Sequence, residues 1–416
     1  MAHQSATLTA TPQASTTVTA PKSSRVLSID VLRGITIAFM ILVNDAGDGH
    51  HTYVQLEHAA WNGWTLTDLV FPTFLFVVGM SIILSINARL QRGASKRDLA
   101  LHTFRRAGMI YLVYTFIALY PHFNITHFRF YGVLPRIALC YLIVGLICLV
   151  TQRASTLLTI AAVLLVTYWV LMRFVPVPGF GVPTIDIPLL DRDRNLVAWL
   201  DRGILGFVQR TFHTGRLYEG TRDPEGLLSS IPAIATTLLG AVTSLWLRRA
   251  EGTTPLSSRT QYAWGFAVAG VAGIVSGLIW NIWFPINKKL WTSSYVLFAA
   301  GCALLGLALC YWLIDIKHIH ETKLGAKLTW PWFVFGSNAI VAYAVSDLLV
   351  ETFGSIHTSD IGPNGKPMSV WSWVYWHIFA SHGSTNNTSA AFAFIYVLIC
   401  FIPNWILWRK KIFVKL

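Results

Sequence analysis

Residues 56 to 76, LEHAAWNGWTLTDLVFPTFLF, set His58, Asn62 and Asp68 among tryptophans just ahead of a long apolar run. An imidazole has an unperturbed pKa of ~6.5, so it can take up or release a proton near neutral pH. A carboxylate such as Asp68 could orient such a ring, and a carboxamide could donate to a developing negative charge. On composition alone a single histidine in a loop is a hydrogen-bonded or solvated residue. His50, His51 and His58 lie close together in the chain, but no spacing matches His-x-x-x-His on a helix or a tetrahedral set, so no metal is read here.

The elements that must position these groups are membrane helices. Of 416 residues, 54% are hydrophobic and 12% charged, with 17 tryptophans, which is far from a soluble balance. The apolar residues come in runs of ~20, the helix length that spans a ~30 Å hydrocarbon core. The chain therefore reads as an all-α integral membrane protein with about ten transmembrane helices, at 27 to 45, 67 to 87, 107 to 121, 132 to 150, 155 to 175, 227 to 247, 262 to 284, 291 to 314, 330 to 351 and 388 to 408. The tryptophan-rich stretch 371 to 382 suits the membrane interface better than a crossing. Residues 1 to 24, rich in Ser, Thr, Ala and Pro and without an apolar h-region, read as a disordered cytoplasmic tail rather than a signal peptide. Residues 25 to 416 form one polytopic domain.

Charge orients the bundle. Arg89, Arg92, Lys96, Arg97, Arg105 and Arg106 lie between spans 2 and 3, Arg248 and Arg249 follow span 6, and the chain ends in the basic run RKKIFVKL. The positive-inside rule puts these segments and both termini in the cytoplasm. The net charge of +13 is then largely this topology signal plus attraction to anionic lipid, and it calls for no nucleic-acid partner. Cys140, Cys148, Cys302, Cys310 and Cys400 sit in apolar spans without a close pair, as packing residues do.

Most of the remaining polar residues collect on the opposite side. Asp30 and Arg33, three apart in span 1, neutralise each other near the inner boundary. Asn44 ends that span. Asp68 sits near the start of span 2, with Pro72 in the first turn, where its missing N–H costs least. Arg136 lies just inside span 4, Asp223 and Glu225 before span 6, and Asn287, Lys288 and Trp291 between spans 7 and 8. Together with Trp61, Asn62 and His58 they make a polar cluster walled by tryptophans. Such a cluster is what a sugar site needs, since aromatic faces stack on pyranose rings while charged and amide groups take the hydroxyls.

These segments carry a resemblance. SIDVLRGITIAFMILVN, HAAWNGWTLTDLVFPTFLFVVG, GVLPRIALCY, DPEGLLSSIPAIATTLLG and PINKKLWTSSYVLF are similar to blocks of the transmembrane heparan-alpha-glucosaminide N-acetyltransferases and their bacterial NagX-type relatives. The likeness runs from about residue 25 to the end. It implies an acyltransferase that takes acetyl from cytoplasmic acetyl-CoA and gives it to the amine of a glucosaminide across the membrane, with no metal. In that family the histidine of the HAxWNG block is the proposed catalytic residue, which falls on His58, and the asparagine ending the first span falls on Asn44. The lysosomal members carry a luminal N-terminal domain and a further span without counterpart here, and a shorter loop between these two positions. These differences point away from heparan and toward small amino sugars, in a bacterial inner membrane.

On this reading His58 is either an acetyl carrier or a general base in direct transfer, the latter favoured because it exposes no intermediate to water. Asn44 could donate to the oxyanion, and Asp68 could orient the ring. The acceptor would contact Trp61, Asn62, Arg136, Asp223, Glu225, Asn287, Lys288 and Trp291. The phosphates of acetyl-CoA would meet Arg89, Arg92, Arg97, Arg105, Arg106, Arg248 and Arg249 on the basic face. The rival readings are an amino-sugar permease, which would have no use for CoA, and a membrane O-acyltransferase of glycans or lipids. Partners are the bilayer, the donor and the acceptor, with a homo-oligomer left open.

Overall fold

The computed structural model describes residues 26–251, 256–362 and 365–414; the tail expected over 1 to 24 lies outside the described residues. The chain is a helical bundle, and the expected spans are helices. These are α1 (Leu27–Asn44), α2 (Val70–Leu90), α3 (Lys96–Leu119), α4 (Val133–Val150), α5 (Ala154–Phe174), α7 (Ser230–Glu251), α8 (Leu256–Trp280), α9 (Ser293–Cys310) and α13 (Asn386–Arg409), with α10 (Lys323–Ser337) and α11 (Ala339–Ser355) sharing the span expected at 330 to 351. Among the described residues, eight helices are long and apolar enough to cross a membrane, and nine if α10 and α11 count together.

Two expected spans depart from a plain crossing. The span at 107 to 121 lies in α3, whose first turns carry Lys96, Arg97, Asp98, Arg105 and Arg106, so its mean apolarity falls short. The span at 330 to 351 is broken at Asn338, where α10 and α11 meet at 79°. The Asn338 carboxamide is engaged by the C-terminal segment: it donates to the Ile412 carbonyl at 3.0 Å and accepts from the Val414 N–H at 2.8 Å. A helix α6 (Leu196–Phe212), capped by the Asn195 side chain, occupies the long connection between α5 and α7, where no helix was expected. It buries Val197, Ala198 and Asp201 and exposes Trp199, Phe207 and Phe212. The stretch at 371 to 382 opens with the five-residue α12 (Val370–Val374) and one π turn, too short to cross, after a small hairpin of β1 (His357–Ile361) and β2 (Pro367–Ser369).

Membrane helices gain little from burying apolar surface against each other, because lipid is as apolar as leucine; close backbone approach decides their packing. Here α2 and α7 meet at reciprocal glycines. A Cβ on Gly79 would lie 1.9 Å from the Thr237 carbonyl oxygen, and one on Gly240 the same distance from that of Phe76. The helices α1 and α10 pack in the same manner through Gly34 against Trp332 and Gly336 against Asp30. The helices α1, α2 and α7 are mostly buried, whereas α5, α8 and α13 keep most of their surface outward. All five cysteines are free thiols.

Candidate active site

The α1–α2 connection ends in a tight turn around Asp68. The Asp68 side chain is 1% exposed, and its Oδ2 accepts the backbone N–H groups of Ala59 and Thr65, both at 3.0 Å. The Thr65 hydroxyl lies 3.2 Å from the same oxygen while donating to the Glu57 carbonyl at 2.5 Å. The other oxygen, Oδ1, is 2.7 Å from Nδ1 of His58. Tyr295 of α9, fully buried, donates its hydroxyl to the Asp68 backbone carbonyl, so a second helix fixes the turn. The result is a clamped carboxylate holding a ring whose side chain is 43% exposed. With Nδ1–H donated to Asp68, Nε2 keeps a lone pair that can accept a proton or attack a carbonyl.

The wall behind this pair is built from the connection between α8 and α9. The Gly63 N–H bonds the Ile286 carbonyl at 2.8 Å, and the Asn287 amide donates to Asn62 Oδ1 at 3.2 Å. Asn287 is itself buried, taking the Leu290 N–H at 2.9 Å. Trp291 is fully buried, donates to Thr236 at 3.1 Å, and carries the Arg136 guanidinium 5.1 Å above its ring. Arg136 donates to the Gly226 carbonyl at 3.0 Å and to Ser229 at 2.5 Å. Asp223 takes a bidentate pair from Arg129 at 2.8 and 2.6 Å, and Glu225 takes a further bond from the same guanidinium at 2.6 Å. Burial raises the Glu225 carboxyl, but Lys288, Arg129 and Arg136 outweigh it and hold the group below the usual range. Lys288 also acts on Asp68, so one ammonium lies within electrostatic reach of both carboxylates.

The residues expected to touch a sugar thus divide. Asn62 is exposed beside His58, and Lys288 is partly so. Asp223, Glu225, Arg136, Asn287 and Trp291 are buried and bonded to other protein groups, so they form the wall; of these, Arg136 and Glu225 also line a largely apolar cavity of about 590 Å³ beside α3 and α4. Trp61 donates to the Leu190 carbonyl at 2.8 Å and is covered by Arg222 at 4.7 Å, whereas Trp64, not singled out in the sequence, is 41% exposed. Asn44 ends α1 exposed and, among the described residues, makes no hydrogen bond with His58 or Asp68. Next to it, burial and then the neighbouring Asp347 raise the Asp45 carboxyl well above its ordinary value.

The arginines expected to meet phosphates also separate. Arg92, Arg97 and Arg105 are exposed around the α2–α3 turn, and Arg106 is committed to Tyr141, 4.7 Å over its ring. Arg89 is half-buried on the last turn of α2, and Arg249 is exposed at the end of α7. Arg248 instead lines a polar cleft of about 320 Å³ between α1, α2 and α7, together with Asp30, Arg33, Ser81, Asn87 and Gln91. Arg33 ion-pairs with Asp30 as expected and also donates to the Gly336 carbonyl at 2.7 Å. This cleft and the His58 turn lie at opposite ends of α1 and α2.

The family model described as heparan-alpha-glucosaminide N-acetyltransferase, catalytic, matches residues 25–285. The protein named heparan-alpha-glucosaminide N-acetyltransferase from Mus musculus is 26% identical over 373 aligned residues, covering 80% of this chain and 54% of the relative. Its namesake from Homo sapiens is 28% identical over 433 aligned residues, covering 94% of this chain and 60% of the relative. The chain therefore spans somewhat over half the length of these relatives.

Proposed function

The chain belongs to the heparan-alpha-glucosaminide N-acetyltransferase catalytic family, and on that premise we propose that it moves an acetyl group from acetyl-CoA to the amine of a glucosamine-type sugar. The observation that carries the reading is the clamped His58–Asp68 pair beside exposed Asn62 and Trp64. Asp68 fixes the tautomer with the proton on Nδ1, and Nε2 removes a proton from the acceptor amine as its nitrogen attacks the thioester carbonyl. The C–N bond forms, the C–S bond breaks, and the proton held on Nε2 passes to the departing thiolate. Asn44, at the end of α1, is the donor we assign to the transient oxyanion. Direct transfer is preferred to an acetyl-imidazole because the exposed ring leaves such an intermediate open to hydrolysis.

The donor's anionic nucleotide would enter at the other end, which we assign to the cytoplasm from its arginines. The residues there fit it: Arg248 supplies positive charge beside the mutually neutralised Asp30–Arg33 pair, and Ser81, Asn87 and Gln91 supply hydrogen-bonding groups. The same sidedness puts His58 on the extracytoplasmic face and the acceptor outside. An amino-sugar permease is the second reading, favoured by the broken α10–α11 pair, a feature of many transporters. CoA separates the two, since specific stabilisation by CoA is expected of the transferase alone. The transfer reading is tested with purified protein in proteoliposomes given labelled acetyl-CoA and glucosamine. His58→Ala is expected to abolish labelled product, and turnover near that of the unmodified protein would refute the assignment.

A further inference from the structure

Among the described residues, His318, His320 and Glu321 bring three metal-ligating side chains together, their donor atoms all within 4.8 Å of one another. They lie in the turn between α9 and α10, at the Arg248 end and away from His58. Nδ1 of His318 is 3.6 Å from Glu321 Oε1, and Nε2 of His320 is 3.9 Å from the same oxygen. Both separations are too long for a hydrogen bond. They are close to the donor–donor edge of a tetrahedral zinc site, which is roughly 3.3 Å for metal–ligand bonds of ~2.0–2.1 Å. Donors too far apart to satisfy one another, yet spaced to share a small cation, are the geometry of a ligand set.

The turn is held independently of any ion. His318 adopts a left-handed φ of 51°, which folds it back over the 3-10 turn Ile319–Glu321. The Glu321 N–H closes that turn on the His318 carbonyl at 3.0 Å, and the Thr322 side chain caps α10 by accepting the Gly325 N–H at 3.1 Å. The His320 ring packs 6.2 Å from that of Phe333, and its Nδ1 is buried without a partner, so this nitrogen faces protein while Nε2 looks toward Glu321. One ligand is therefore fixed by packing, and the other two are the exposed arms that close on it.

We propose that His318, His320 and Glu321 bind a borderline divalent cation, zinc best, with water completing the coordination. Two imidazoles and one carboxylate suit zinc, nickel or copper, whereas magnesium and calcium require oxygen ligands. The bound ion would tie the 3-10 turn Ile319–Glu321 together just ahead of α10. The spacing His-x-His-Glu carries no helical or tetrahedral signature, which is why the sequence did not disclose it.

The test uses the full chain, free of any histidine tag and stripped with chelator, titrated with zinc by calorimetry. One zinc per chain is expected, undisturbed by excess magnesium. His318→Ala and His320→Gln, the latter keeping the ring's volume and packing, are expected to weaken binding by more than about tenfold. Cobalt is expected to give the visible absorption of a tetrahedral nitrogen–oxygen field, lost in the same variants. No zinc uptake at micromolar concentration, binding unchanged in both variants, or loss in a His51→Ala control instead would each overturn the proposal.

Discussion

Replacing Asp68 by asparagine separates the orienting role of the carboxylate from its structural one. In the present turn Oδ2 is fixed by two backbone N–H donors, from Ala59 and Thr65, and Oδ1 by His58. A carboxamide has one oxygen, and the two N–H donors require it at the Oδ2 position. The amide nitrogen then faces Nδ1 and donates to it, so the imidazole proton moves to Nε2 and the lone pair needed for proton abstraction is lost. Restoring the active tautomer requires turning the amide over, which strips two buried N–H groups of their acceptor. At about 1–3 kcal/mol each, that costs roughly 2–6 kcal/mol. At 1.36 kcal/mol per decade, transfer is expected to fall between about 30-fold and about 10⁴-fold.

The assay is labelled acetyl transfer in proteoliposomes at saturating donor, with thermal unfolding measured in parallel. Asp68→Asn keeps both backbone bonds and is expected to unfold within a few degrees of the unmodified protein. Asp68→Ala leaves the two N–H groups unsatisfied and is expected to lose stability as well. Combining Asp68→Asn with His58→Ala should cost no more than His58→Ala alone, because the carboxylate acts only through the ring. Transfer by Asp68→Asn within threefold of the unmodified rate would refute this account of the pair.

Two other consequences can be measured. Gly79→Ala forces a Cβ onto the Thr237 carbonyl and should lower the unfolding temperature in detergent by an amount corresponding to 1–3 kcal/mol or more, whereas Gly93→Ala, at an exposed turn whose Cβ site is open though its φ is positive, should cost less. Burial, followed by the charge of Asp223, raises the Asp201 carboxyl to about 7. A folded value above the unfolded one means stability is greatest below pH 4 and is lost as pH rises toward 7; Asp201→Asn should flatten that slope in unfolding temperature measured from pH 4 to 8.

The spans were legible because each is a run of apolar residues long enough to cross lipid, and that pattern is local. Three features were not. The break at Asn338 depends on partners 74 and 76 residues away, Ile412 and Val414. The helix α6 is too charged for a span, with Asp201 among its buried residues and Arg202 and Arg210 elsewhere along it. The wall of the site was hidden for a different reason: Asp223, Glu225, Arg136 and Trp291 were grouped as one polar cluster, but polarity does not reveal whether a group meets a ligand or another protein group. Arg129, which takes up both acids, lies 94 residues from Asp223. His58 and Asp68 were readable together because one turn joins them.

The separation of the two ends constrains where the donor's phosphates can sit. From Arg33 to Asn44 the α1 helix advances about 11 residues, or roughly 16 Å at 1.5 Å each. The pantetheine arm has about 12 bonds from phosphate oxygen to sulfur, and at roughly 1.2 Å of advance per bond in an extended chain it reaches ~14 Å. A thioester brought to the level of Asn44 therefore leaves the phosphates near the level of Arg33, inside the cleft with Arg248, and not at Arg97 on the far side of the α2–α3 turn. Arg248→Glu should consequently abolish stabilisation by CoA, and Arg97→Glu should leave it within twofold in apparent affinity. The converse pattern, with Arg97 required and Arg248 dispensable, would mean that the arm does not run along α1, and the assignment of Asn44 to the oxyanion would fall with it.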